Sequence, residues 1–374
     1  MALRRLVRCC RSLLHEHKQA KNWIESRTGA KRYLLSEDVI RLQNLQEAKL
    51  QLAHFSDETK ENFIRMFNRK LKNNELILRH ELKQLLHLCQ SPDDMVTAQN
   101  AIYRYHEENR NFAHGEYKFG PIFMRLCYEF SLETMGIATL TDENMRGFFN
   151  DVTSFNIGID MLFTKGEYEN ALEVLQTMKS QGVPFNKDTF TLACGTCYKM
   201  NTPESFRLCI DLIENGQNKE PVFPRHAYYF AVALAIRQND IEKARSFYSQ
   251  IMNKESRLCQ NLNVMILVIA GAILEVISFL STAVLPKGSS FVKKVLFSQE
   301  VLDALHVLSK DGPYQMEVEH LTAQLKQAGQ VSQQTLDELL CQTPKGKRKP
   351  LAAMHRRNPG RRTVKPLHYT LLSD

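Results

Sequence analysis

Thr153-Ser154-Phe155-Asn156, then Lys165-Gly166-Glu167-Tyr168-Glu169-Asn170-Ala171-Leu172, then Met178-Lys179-Ser180-Gln181-Gly182-Val183, reads as two short helices with a tight turn at Lys165-Gly166 and a second break at Gly182-Val183-Pro184. Phe155 returns as Phe190, one repeat length later, and Ala98, Ala171 and Ala244 are evenly spaced at slightly more than two such periods. A small residue at this interval suits the point where the two helices of a hairpin cross closely. A helix pair of this size buries its apolar face only by stacking on its neighbours. The period therefore predicts an all-α fold, a right-handed α-solenoid of helix-turn-helix repeats, and such solenoids bind rather than catalyse.

The pattern continues on both sides. Thr189-Phe190-Thr191 opens the next unit, and Pro203-Glu204-Ser205-Phe206 opens its second helix. Tyr228-Tyr229 opens a third, with Asn239-Asp240-Ile241-Glu242-Lys243-Ala244-Arg245 as its turn and second helix. Upstream, Ser91-Pro92-Asp93-Asp94 is a helix start: serine caps, proline suits the first turn and the acids favour the positive helix end. Residues 75–109 and Tyr117–Thr139 read as earlier, degenerate units, giving about five or six helical pairs. The expected organisation is a repeat array over 31–262, with its best copy at 152–186, a C-terminal helical region over 263–342 and a basic disordered tail over 343–374.

Charge is unevenly placed. The 374 residues carry a formal charge of +8. Setting aside Arg4, Arg5, Arg8 and Arg11 at the start and nine Lys and Arg in 343–366 leaves 36 basic and 40 acidic residues over 16–342. The body is mildly acidic, so a polyanion would be held by a local basic stripe or by the tail. Residues 1–20 have the arginine-rich, amphipathic start of a mitochondrial targeting segment, with Leu3, Leu6, Val7, Leu13 and Leu14 on one face and no acid before Glu16. Nine cysteines without framework spacing read as free thiols in a reducing compartment.

Catalytic and metal motifs are missing. Cys194-Gly195-Thr196-Cys197 falls inside a helix, where it reads as core packing rather than a redox or zinc motif. No Ser/His/Asp set, phosphate loop or dense aspartate cluster stands out, so no catalytic centre, metal or cofactor is expected. Val264–Leu285 carries Glu275 as its one charge and is long enough to span a bilayer. A glutamate at mid-span is costly there, and a very apolar fourth hairpin interrupted near Gly271 is the preferred reading. Three further helices are expected at Ser298–Lys310, Met316–Ala328 and Ser332–Cys341, capping the array.

The run from Phe155-Asn156 to Lys165-Gly166-Glu167-Tyr168-Glu169-Asn170-Ala171-Leu172 and Gly182-Val183 resembles a pentatricopeptide repeat. The 35-residue spacing from Phe155 to Phe190 favours it over the tetratricopeptide repeat, which also wants a Trp in its first helix, whereas the one Trp here is Trp23. The resemblance implies a single-stranded RNA-binding solenoid of the mitochondrial matrix that acts in maturation of mitochondrially encoded transcripts. It implies that Asn156 with Asn186 reads a base edge in the best copy, each amide offering a donor and an acceptor. The next unit offers Thr191 with Pro221 or a neighbour, and the third offers Tyr229, which departs from the pattern and suits stacking. A basic residue near the end of each first helix would face phosphate: Lys199 and Arg237 fall there, and Lys165 lies one residue off. The tail would suit RNA phosphate, RNA-processing enzymes or the mitoribosome. The rival reading is a mitochondrial helical-repeat scaffold that binds proteins and no RNA.

Overall fold

A computed structural model describes residues 34–52, 57–109, 118–217, 223–284 and 295–343. The targeting segment expected over 1–20, the tail from 344 onward, and Pro221 lie outside the described residues. The fold is an all-α helical-repeat solenoid. It opens with α1 (Glu37–Ile40), α2 (Leu42–Leu52) and α3 (Asp57–Lys72). Seven helix hairpins follow among the described residues: α4 (Arg79–Leu88) with α5 (Pro92–Asn109), α6 (Gly120–Glu129) with α7 (Glu133–Thr141), α8 (Val152–Lys165) with α9 (Tyr168–Ser180), α10 (Lys187–Met200) with α11 (Pro203–Gln217), α12 (Arg225–Arg237) with α13 (Ile241–Ser249), α14 (Arg257–Ile269) with α15 (Ile273–Ala283), and α16 (Gln299–Ser309) with α17 (Gln315–Gln327).

The even-numbered helices from α2 to α16 form one row, the A row, in which each packs on its even-numbered neighbours. Odd-numbered helices form the B row, where each from α7 to α15 also packs against the A helix that follows it. Local chemistry marks the repeat borders. Asp151, Asn186, Asp240 and Ser256 cap the starts of α8, α10, α13 and α14 through their side chains. The A-to-B turns pass through left-handed backbone at Gly166, Asn201, Asn239 and Gly271. Glycine and asparagine are the residues that tolerate this conformation, which ends each helix by satisfying its last carbonyls. Ser91 and Asp94 cap each other at the start of α5, with Asp94 N–H donating to Ser91 Oγ at 3.2 Å and Ser91 N–H to Asp94 Oδ2 at 3.0 Å.

The period of the sequence becomes the period of the core. Phe155 and Phe190 are buried, and Ala98, Ala171 and Ala244 are all but inaccessible. Ala171→Leu should therefore overpack the α8–α9 crossing and lower stability by about 1–3 kcal/mol. Glu173→Leu, at an exposed site two residues on, should change it by less than about 0.5 kcal/mol. Thermal unfolding of the two variants compares them directly, and equal midpoints would contradict the crossing.

The apolar 264–285 stretch divides at Gly271 into the end of α14 and all of α15, and Glu275 is exposed on α15. Among the described residues no helix is long and apolar enough to cross a membrane. Helix α14 runs through the border drawn at 262/263, so the array continues without a break into the C-terminal region. The helix expected over Ser332–Cys341 is shorter. Val331–Ser332 pairs in parallel with Phe297–Ser298, β2 with β1, and helix α18 begins at Leu336 under a Thr335–Glu338 capping box. Its place also differs from a terminal cap: α18 (Leu336–Leu340) folds back onto α12 and α14.

Candidate functional site

In a two-layer solenoid the A row should keep one side open. Here α8 is buried from Ser154 to Phe163 and α12 from Ala227 to Ala235, and in α10 only Thr191 interrupts the buried run from Thr189 to Tyr198. Both ends of the described chain lie on these helices. From the N-terminal side, α1 packs on α8, and the Leu34 and Leu35 N–H groups donate to Asp160 Oδ1 at 2.8 and 3.3 Å. Gly195 of α10 leaves room for this: a Cβ there would lie 2.9 Å from a Leu34 methyl and 3.2 Å from the Phe230 ring. Burial pushes the Asp160 carboxyl up to about 7, against the two N–H donors that favour its charge.

From the other end, α18 buries Leu336, Leu339 and Leu340 together with Cys341. Its Asp337 lies between two cations of successive A helices. Lys199 Nζ donates to both carboxylate oxygens at 2.8 and 2.7 Å, and Arg237 approaches Oδ1 at 3.5 Å. The Arg237 guanidinium also sits 3.9 Å from the centre of the Tyr198 ring, a cation–π contact. Burial works against the Asp337 charge, but Lys199 and Arg237 outweigh it and hold the carboxyl below the usual carboxylate range. Lys199 is shifted upward in turn, its burial outweighed by Asp337. Two more donors of the A row meet the same segment. His226 Nε2–H donates to Leu340 O at 2.7 Å, and Arg257 Nη1–H donates to Gln334 Oε1 at 2.9 Å.

The residues expected to read bases are engaged inside the protein. Asn156 and Asn186 do meet: Asn156 Nδ2–H donates to Asn186 Oδ1 at 3.2 Å, and Asn156 Oδ1 accepts from Thr189 Oγ1–H at 2.8 Å. Asn156 is 1% exposed, and Asn186 Oδ1 also caps α10 by accepting from Thr189 N–H at 2.9 Å. Tyr229 repeats the arrangement two repeats on. It is buried, and its hydroxyl shares a 2.8 Å hydrogen bond with Ser256 Oγ, the cap of α14. In both repeats the residue after the helix-opening aromatic reaches the cap of a later A helix. Thr191 is half-buried, with its hydroxyl donating to Lys187 O at 3.0 Å. Lys165 is exposed and pairs with Glu133 of α7 at 3.0 Å, a different acid from the one that joins Lys199 and Arg237. Cys194 and Cys197 are wholly buried, and burial raises the Cys197 thiol pKa well above its ordinary value. Among the described residues no group of three or more His, Cys, Asp or Glu is placed to hold a metal ion.

The sequence reading missed Asp160, His226, Arg257 and Asp337. Asp160 carries a legible signal, an acid in the middle of the apolar run Ile157–Phe163. The other three carry none, because each acquires its partner only when the C-terminal segment turns back.

The sequence aligns with known proteins over nearly its whole length and theirs. The chain is 49% identical to pentatricopeptide repeat-containing protein 2, mitochondrial, of Danio rerio, covering 93% of this chain and 91% of that protein. The chain belongs to this family of mitochondrial pentatricopeptide-repeat proteins. The Homo sapiens protein of the same name is 46% identical, over 92% of this chain and 89% of its own length. The Mus musculus protein is 44% identical, over 92% and 91%. No general family model matches the chain.

Proposed function

We propose that the chain binds single-stranded RNA in the mitochondrial matrix and acts in the maturation, processing or stability of mitochondrially encoded transcripts, holding a strand for other enzymes without a catalytic centre of its own. The observation that carries this reading is the convergence of Lys199 and Arg237 on a single carboxylate. Two cations from successive repeats, aimed at one point on a body that is otherwise mildly acidic, suit the phosphate of a strand running along the A row. Family membership supports the same reading. Asn156, Asn186 and Tyr229 would have to open their internal hydrogen bonds to reach a base. Phosphate contacts through Lys199 and Arg237, with Lys165 and Thr191 as further contacts elsewhere on α8 and α10, therefore outweigh base reading in this proposal. The basic tail adds grip without sequence preference.

The test is titration of the full chain with labelled single-stranded RNA at several salt concentrations. The Lys199→Glu/Arg237→Glu double variant should lose at least about tenfold in affinity, and the slope of log affinity against log salt should fall by roughly two. Wild-type protein that binds no RNA would remove the function. A double variant that binds as wild type would remove the site.

A further inference from the structure

Three acceptors of the C-terminal segment fall at every third position: the Gln334 side chain, the Asp337 carboxylate and the Leu340 carbonyl. They meet donors on three successive A helices, Arg257 of α14, Lys199 of α10 with Arg237 of α12, and His226 of α12. Such matching is what a ligand laid along the A row would show. Donors are also left over. Arg257 uses Nη1 on Gln334, while its Nε and Nη2 are buried with no hydrogen-bond partner among the described residues. Two buried, idle donors on one guanidinium are costly, and a group with two anionic oxygens such as a phosphodiester answers that fork better than a single amide oxygen does.

We infer that the C-terminal segment from Gln334 to Cys341 is an intramolecular occupant of an anion track formed by Lys199, Arg237 and Arg257, that Asp337 stands where a phosphodiester of single-stranded RNA binds, and that RNA and α18 exclude each other. The inference rests on the RNA-binding reading and adds Arg257 to its contacts. Charge explains the exchange. A strand brings a phosphate to each cation, where the segment brings one carboxylate, Asp337 of α18, for Lys199 and Arg237 and a neutral amide, that of Gln334 just ahead of α18, for Arg257. The attachment of the segment fits a hinge just ahead of α18. Gln330 is buried and its Nε2 donates to Ala283 O and Val295 O, anchoring the chain to the array just ahead of the segment. Past Thr335, α18 is held by its apolar side chains, by the Leu336 N–H to Glu300 bond, by a Tyr198 hydrogen bond to Asp337 and by the acceptors just named, among other contacts.

The experiment combines two measurements on the full chain with polyuridylate as probe: RNA affinity against salt for wild type and Asp337→Asn, and amide hydrogen exchange of 334–341 in wild type with and without the RNA. Asp337→Asn keeps the size of the side chain and removes the charge that competes with phosphate. The expected results are about tenfold tighter binding by Asp337→Asn, its loss on adding Arg257→Gln, and faster exchange in 334–341 of the wild type on RNA binding. If RNA binds, but equally to both proteins and with 334–341 still protected, the inference is overturned and the RNA-binding reading stands. If neither protein binds RNA, both fall. The exchange measurement needs no variant, so misfolding of Asp337→Asn would leave the question answerable.

Discussion

Phe230→Ala is expected to lower the free energy of unfolding by about 3–5 kcal/mol, the range for deleting a fully buried aromatic ring. Phe230 is fully buried in α12, the A helix against which both α10 and α14 pack. Its ring lies 5.6 Å from the Tyr198 ring and 5.1 Å from the His226 ring, and it faces Gly195 of α10. Truncation would leave a cavity against all three, in a place where two repeats and the seat of α18 meet. In a solenoid, stability is close to a sum of repeat and nearest-neighbour interface contributions, so the damage should be local before it is global. Urea unfolding should show the loss, and hydrogen exchange should place it first in α10–α15, with α4–α7 retaining protection. A loss below about 1 kcal/mol would mean that the interface closes over the gap and that α12 is not the keystone of this stack.

Asp160→Asn is expected to stabilise the protein at pH 8 and to do nothing for it in acid. The folded-state pKa of Asp160 is raised from an ordinary 3.8 to about 7 by burial. The sign follows from proton counting. Between those two values the folded protein holds a proton on Asp160 and the unfolded chain does not, so stability falls as pH rises, and above about 7 the folded protein carries a buried charge. Each pKa unit is worth about 1.4 kcal/mol, so the stability present at pH 4 and lost by pH 7 is about 4 kcal/mol. Asparagine keeps an oxygen for the Leu34 and Leu35 N–H groups and removes the charge. Its amide N–H₂ would stand where Asp160 Oδ2 has no partner among the described residues, which costs part of the gain. A net gain of about 1–3 kcal/mol at pH 8 is the expected result, shrinking to nothing or reversing by pH 4. Denaturant melts of both proteins at the two pH values isolate this group, because all other titrations are shared. Wild type that is the more stable protein at pH 8 would show that Asp160 is held as a stabilised anion, and that the contact with Leu34 and Leu35 is ionic in strength.

The repeat frame was legible because its signals are local or strictly periodic. Phe155 and Phe190, the three evenly spaced alanines, the caps and the turn residues each report on a few neighbours or on a fixed interval, and each falls where a helix pair needs it. The helix expected from Ser332 starts later, at Leu336, because Val331 and Ser332 take their conformation from β1, a partner far upstream in the chain. The candidate site was half legible. Lys199 and Arg237 stand out from their position at A-helix ends, and Asn156 with Asn186 from the best repeat. What those groups touch was not legible. Lys199 meets Asp337 across 138 residues, and Leu34 meets Asp160 across 126. No periodicity spans such distances, and Leu336-Asp337-Glu338-Leu339-Leu340 looks like any capped amphipathic turn.

The sequence by itself determined the all-α repeat architecture, the positions of the hairpins and the membership in a mitochondrial pentatricopeptide-repeat family, because the repeat period constrains backbone and core together. Only the tertiary structure decided the state of the A row. Its inner helices are closed over by the two ends of the described chain, with Asp160 holding Leu34 and Leu35 on one side and Lys199 and Arg237 holding Asp337 on the other. The physical reason is that a solenoid fixes its own stacking through neighbour contacts, whereas what lies across the stack depends on where distant segments find complementary charge and apolar surface.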